Sequence, residues 1–163
     1  MHTVAQDSVS ATLTVALPAA RVFAVLADPT THSAIDGTGW VQQSADRATL
    51  TEVGQIFRMD MYHPNHPNGD YQVANKVQVL DPPRAIGWLP GYRTDEGRLD
   101  FGGWTWRYDL TPLGPSDTEV TLTYDWSAVP QSIREYIDFP PFGPEHLTNS
   151  LHHLAELAGS HSR

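Results

Sequence analysis

Residues Ser8 to Val15 alternate, with Val9, Ala11, Leu13 and Val15 on one side and Ser8, Ser10, Thr12 and Thr14 on the other. A period of two with one apolar face is the pattern of a half-buried strand. The period then changes. From Pro18 to Leu26 good helix formers carry Val22, Phe23 and Leu26 on one side, and Pro18 suits the start, where its missing N–H is not wanted. Asp28-Pro29 interrupts this helix, because the residue before a proline leaves the α region and an aspartate there can cap the next helix. A second short helix is expected from Pro29 to about Ile35, with Gly37 and Gly39 releasing the chain into a short strand from Trp40 to Gln43.

Period two then returns. After a polar connection from Ser44 to Gly54, Phe57, Met59 and Met61 alternate with Arg58 and Asp60. The segment His63 to Asp70 is dense turn chemistry, and its Asn68-Gly69 is a strong hairpin signal. Tyr71, Val73, Asn75, Val77 and Val79 share one side of the next strand, Asp81-Pro82-Pro83 turns it, and Ile86 and Trp88 are in phase on a short strand from Ala85 to Leu89. Pro90 to Gly103 is expected to be a long connection. Trp104, Trp106, Tyr108 and Leu110 form one apolar row, and Val120, Leu122, Tyr124 and Trp126 form another beyond Gly114-Pro115. Hairpin-spaced strands of this kind build an antiparallel sheet with one apolar and one wet face.

The chain closes on a helix. At about 100° per residue, Leu147, Leu151, Leu154, Ala155 and Ala158 fall within an arc of about 100°, with His146, Asn149, His153 and Glu156 opposite. One sheet, one long helix on its apolar face and two short helices between the first two strands make an α+β architecture. It is expected to be a single domain over residues 1–163, with 1–7 and 159–163 as loose ends.

The run V-F-A-V-L-A-D-P from Val22 to Pro29, followed by His32-x-x-x-Asp36-Gly-x-Gly, resembles the opening of the polyketide cyclase/dehydrase family, within the START-like helix-grip (SRPBCC) superfamily. FPPFGPEHLTNSLHHLAELA, from Phe139 to Ala158, is similar to that family's closing loop and helix, and WTWRYDLTPLG and TEVTLTYDWSAVP are similar to its last two strands. The resemblance covers nearly the whole chain. It implies a helix-grip fold, a curved antiparallel sheet wrapped around a long C-terminal helix, often with a cavity between them. For function it implies a wider set, since the superfamily holds carriers, cyclases and chaperone-associated modules.

Composition narrows that set. A formal charge of −9 over 163 residues argues against nucleic acid and anionic membrane surfaces as partners, since both need a basic footprint. With no cysteine, disulfides and thiolate metal sites are excluded. No apolar run approaches the roughly 20 residues of a membrane span, and the first residues lack a secretory pattern, so the cytoplasm is the expected location. Nothing in the pattern specifies an oligomeric state.

Five Trp, six Tyr and five Phe are many for a core of this size, and half of them fall in phase with the inner face of the sheet. Large rings, adaptable methionines and a few polar tips suit an apolar ligand site. The candidate lining is Phe57, Met59, Met61, Tyr71, Val73, Asn75, Trp88, Trp104, Trp106, Tyr108, Tyr124 and Trp126 from the sheet, with Leu147 and Leu151 from the helix. Asn75 is the one amide in phase with that face, able to orient a ligand carbonyl or hydroxyl; a satisfied buried polar group is the bland alternative. His32 and Asp36, four apart, share a helix face, either bracing the short helix or serving as an acid–base pair. Catalytic candidates are therefore His32, Asp36 and Asn75. His63-x-x-His66 and His152-His153 lack a third ligand by spacing, so no metal is expected. No nucleophile elbow, P-loop or dinucleotide glycine pattern occurs, and no cofactor is expected. The reading is a protein that binds a small hydrophobic, ring-containing, polyketide- or lipid-like molecule in an internal cavity. The rivals are a polyketide cyclase/dehydratase (aromatase) working in the same cavity by positioning and general acid/base assistance, and a protein-interaction module of the chaperone-associated branch, which would need an exposed apolar patch.

Overall fold

A computed structural model describes residues 7–32, 35, 41–44, 49–62, 70–93, 99–135 and 145–160. Among them, eight antiparallel strands form one sheet: β1 (Ser8–Val15), β2 (Val41–Ser44), β3 (Ile56–Tyr62), β4 (Asp70–Asp81), β5 (Ala85–Arg93), β6 (Leu99–Phe101), β7 (Thr105–Gly114) and β8 (Asp117–Asp125). Their order is β1-β8-β7-β5-β4-β3-β2, with β6 paired to β5. Since β1 and β2 lie at opposite edges, the chain between them must cross the concave side. It does so as α1 (Ala19–Leu26) and a 3-10 turn (Pro29–Thr31), after which His32 and Ile35 are helical. The C-terminal helix (His146–Ser160) packs on β1 and β8 and against α1. The curved sheet gripping a long helix is the architecture the sequence implies.

The joint after α1 forms for local reasons. Asp28 is the cap of the 3-10 turn, its carboxylate accepting from the Thr30 N–H at 3.0 Å and the Thr30 hydroxyl at 2.6 Å. Thr31 is buried, and its hydroxyl donates to the carbonyls of Val25 and Asp28. These bonds add to the backbone N–H groups of Asp28 and Thr31 that the same two carbonyls already accept, and so tie the turn to the end of α1. Pro18 stands just before the first helical residue, as the cap without a side-chain bond.

The alternation on β8 holds throughout: Val120, Leu122 and Tyr124 are buried, and Trp126 follows just beyond the strand. With Val22, Leu26, Val77, Ile86 and Leu154 they form the centre of the core. Each such aliphatic side chain contributes about 1.5–3 kcal/mol on burial.

Four expectations need correction. The stretch from Pro90 is not a connection: β5 runs on to Arg93, and β6 pairs with it. Pro90 is tolerated because it falls between the two partners of β5, β7 opposite residues 85–88 and β6 opposite residues 91–93. On β4 a register shift between Val77 and Val79 breaks the alternation, so Leu80 packs against the core where an unbroken period two would have used Val79. The C-terminal helix buries more than its leucine stripe: His146 and Ser150 are buried and His153 and Leu157 half-buried. Its covered arc is therefore about 200° at 100° per residue, because the crossing segment covers one flank while the sheet covers the front. Both ends are held further out than expected, since Asp7 accepts the Trp126 N–H at 2.8 Å on its carbonyl and the helix continues to Ser160. The expected hairpin turn at 63–69 and the glycine exit at 37–39 lie outside the described residues.

Candidate binding face

The apolar rows of β3, β4, β5, β7 and β8 converge on the concave side, where ring contacts divide them into two groups. In the first, His32 stacks on Trp88 with centroids 5.0 Å apart and planes 18° from parallel, and meets Phe57 edge-on at 5.6 Å. Phe57 meets Trp88 edge-on at 5.7 Å, and Trp88 leads to Tyr108 at 6.1 Å. In the second, Trp106 lies 4.6 Å from Tyr124 and meets His146 edge-on at 6.0 Å, while Tyr124 and Trp126 are 5.8 Å apart. Trp88 and Trp106 are direct cross-strand partners on β5 and β7, so the two groups adjoin on one face.

Each element sets its ring. Trp104 folds back over Gly102, where a Cβ would overlap the indole ring, so glycine suits this packing. Trp126 is fixed by the turn just after it. Arg134, on a one-turn helix at Gln131–Arg134, donates to the carbonyls of Trp126 at 2.8 Å and Val129 at 3.0 Å and pairs with Asp7 at 3.1 Å.

Of the lining read from sequence, Phe57, Met59, Tyr108, Tyr124, Trp126, Leu147 and Leu151 are buried in one cluster, and Met61, Trp88, Trp104 and Trp106 are half-buried against it. Val73 is half-buried. Tyr71 stands in register with Met61, and its side chain lies outside the described residues.

Asn75 has the least comfortable position. It lies on β4 between Phe57 of β3 and Pro90 of β5 and is 5% exposed. Its side-chain amide has no hydrogen-bond partner among the described residues. Such a group costs about 1–3 kcal/mol to bury unpaired.

His32 is 8% exposed, and its Nε2–H donates to the Leu26 carbonyl at 2.9 Å. Loss of hydration on burial pushes its pKa below the ordinary 6.5, against the weaker opposing pull of that carbonyl and of Asp28, so the ring is neutral at pH 7. Its donor is committed to the backbone, leaving Nδ1 as an acceptor. Asp36, its expected partner, lies outside the described residues. Burial likewise raises the Tyr124 pKa far above its usual value, so it remains a phenol. Among the described residues no cluster of histidine and carboxylate groups could hold a metal ion, and no helix is long and apolar enough to cross a membrane.

Two interior groups escaped the sequence reading. His146 and Ser150, 9% and 3% exposed, lie one turn apart on the flank of the C-terminal helix that Leu157 also occupies. The spacing of His146, Ser150, Leu154 and Leu157 was the available signal. It was masked because two polar residues open the row.

Residues 16–158 match the family model described as Activator of Hsp90 ATPase homolog 1-like protein. The uncharacterized protein Rv0088 of Mycobacterium tuberculosis is 32% identical over 120 residues, 74% of this chain and 48% of that protein. The chain thus spans about half the length of the curated relatives it matches. Among solved structures, the ZhuI aromatase/cyclase from Streptomyces sp. R1128 superposes with a TM-score of 0.62 at 17% identity, covering 96% of this chain and 95% of that one. A norcoclaurine synthase point mutant from Thalictrum flavum, in complex with a transition-state analogue, gives 0.64 at 15% identity and covers 96% of each chain. At these identities the structural likeness is one of fold.

Proposed function

The chain belongs to the Activator of Hsp90 ATPase homolog 1-like family of helix-grip (SRPBCC) proteins, and from that premise we propose that it binds a small hydrophobic, ring-containing molecule against the aromatic concave face of its sheet. One observation carries the reading: a buried amide, Asn75, with no partner among the described residues, set in a wall of rings. A solid core has no use for an unpaired amide, whereas a ligand carrying one polar group among apolar atoms would satisfy it.

Two further features favour this reading over its rivals. A cyclase needs groups that move protons. The described part of this face carries no buried carboxylate, and His32 brings it one free nitrogen, the acceptor Nδ1, with its Nε2–H engaged by the Leu26 carbonyl and no general acid beside it among the buried described groups. An interaction module needs a continuous apolar patch. The exposed large apolar residues among those described are Val53 and Ile56 near one end of β3, Tyr62 at its other end and Leu113 at the far end of β7.

The test is titration with a neutral naphthalene derivative, followed by tryptophan fluorescence. Trp88 and Trp106 stand at the meeting of the two ring groups, so the signal should change saturably with one-to-one stoichiometry, and Trp88→Phe should reduce its amplitude. A linear response that never saturates would refute the reading. Incubation with a linear poly-β-keto thioester mimic should give the product distribution of buffer alone; a new regioisomer lost in His32→Asn would establish the cyclase instead.

A further inference from the structure

The polar groups of this interior have a common character. The buried polar side chains among the described residues are Thr31, His32, Asn75, Thr118, His146 and Ser150, with no lysine, arginine or carboxylate among them. Thr31 and Thr118 donate to backbone carbonyls, and His32 donates to Leu26. Asn75 and Ser150 have no side-chain partner among the described residues. Asn75 lies on β4 of the sheet and Ser150 on the C-terminal helix.

Ser150 belongs to the same interior. Its flank of the helix is bounded by His146, which touches Trp106, and by His153, whose Nδ1–H donates to the Ile35 carbonyl at 3.0 Å. Three residues before Ile35, His32 touches Phe57, the partner of Asn75 on β3, and Trp88, two residues before its partner Pro90 on β5.

Resting on the proposed binding function, we infer that the ligand is electrically neutral and that Asn75 reads a paired donor and acceptor on it, as in a carboxamide or a lactam. The side-chain amide of asparagine presents one carbonyl acceptor and an N–H donor side by side, so its complement is the same pair reversed. A ligand carboxylate presents two acceptors. It would leave the Asn75 carbonyl unpaired and would enter an interior whose described part offers no cation, at a large desolvation cost. A pure hydrocarbon would offer that amide no partner. Long-chain fatty acids and aryl carboxylates are therefore rejected and neutral amide-bearing rings accepted.

The experiment compares three probes of similar shape at pH 7.5: naphthalene, 2-naphthamide and 2-naphthoate. Wild-type protein should bind 2-naphthamide at least about tenfold more tightly than either of the others. That corresponds to about 1.4 kcal/mol, within the range for satisfying one buried polar group. Asn75→Leu, of similar size and without an amide to orphan, should fold at least as stably and bind 2-naphthamide no better than naphthalene. Saturable binding of naphthalene and 2-naphthoate with affinity equal to 2-naphthamide would overturn this inference while leaving hydrophobic binding standing. Failure of all three to saturate would overturn both. The wild-type comparison decides the matter even if the variant does not fold.

Discussion

His32 couples the fold to pH. Its pKa is lowered by burial, so the folded state resists taking up a proton that the unfolded chain accepts near the ordinary value of 6.5. Stability attributable to this residue is therefore complete above pH 6.5 and declines as pH falls below it, with a slope of up to about 1.4 kcal/mol per pH unit. Urea melts from pH 7.5 to 5 should show that decline, and His32→Gln, which can still donate to the Leu26 carbonyl, should flatten it. Parallel wild-type and variant profiles would mean that the ring is hydrated. His153 teaches a related lesson. Helical periodicity places it opposite the leucine stripe, where its loss would cost nothing, yet its Nδ1–H meets the Ile35 carbonyl. His153→Ala should therefore cost about 0.5–1.5 kcal/mol in the same melts. A partner that approaches from a distant segment leaves no local trace in sequence, and Asn75 is the converse. Its phase on β4 alone was enough to place it inside.

At the level of elements, alternation was legible wherever one strand keeps one partner on each side, as β8 does between β1 and β7. It failed on β5, whose partner on one side changes from β7 to β6 around Pro90, and on β4 at the register shift after Val77. Both are decisions made by neighbouring strands rather than by the segment itself. The C-terminal helix was legible on its leucine stripe, and its width was not, because the partners of its flank are remote in sequence: Trp106 for His146, about 40 residues away, and Ile35 for His153, more than a hundred. Leu151, 1% exposed at the centre of the stripe, provides the element's test: Leu151→Ala should cost roughly 2–5 kcal/mol, the range for a buried leucine that leaves a cavity. A cost no greater than that of His153→Ala would show that the helix is gripped elsewhere.

For the whole molecule, the sheet, the crossing segment and the closing helix pack around one interior that is rich in aromatic rings and whose described buried polar groups carry no lysine, arginine or carboxylate. The resemblance read from the two ends of the chain already implied that shape, and the family match over residues 16–158 agrees with it. What the sequence could not supply is which side chains meet, since the His32–Trp88 stack and the Trp106–His146 contact join segments about 40 to 60 residues apart. The central claim is that this interior receives a neutral, ring-containing molecule. Native mass spectrometry of the protein incubated with an equimolar panel of neutral aromatic amides and aryl carboxylates tests it most directly. The account predicts a single adduct of one-to-one stoichiometry, formed by a neutral amide and lost in Asn75→Leu. A spectrum holding only the bare chain, or carboxylate adducts as abundant as amide adducts, would contradict it.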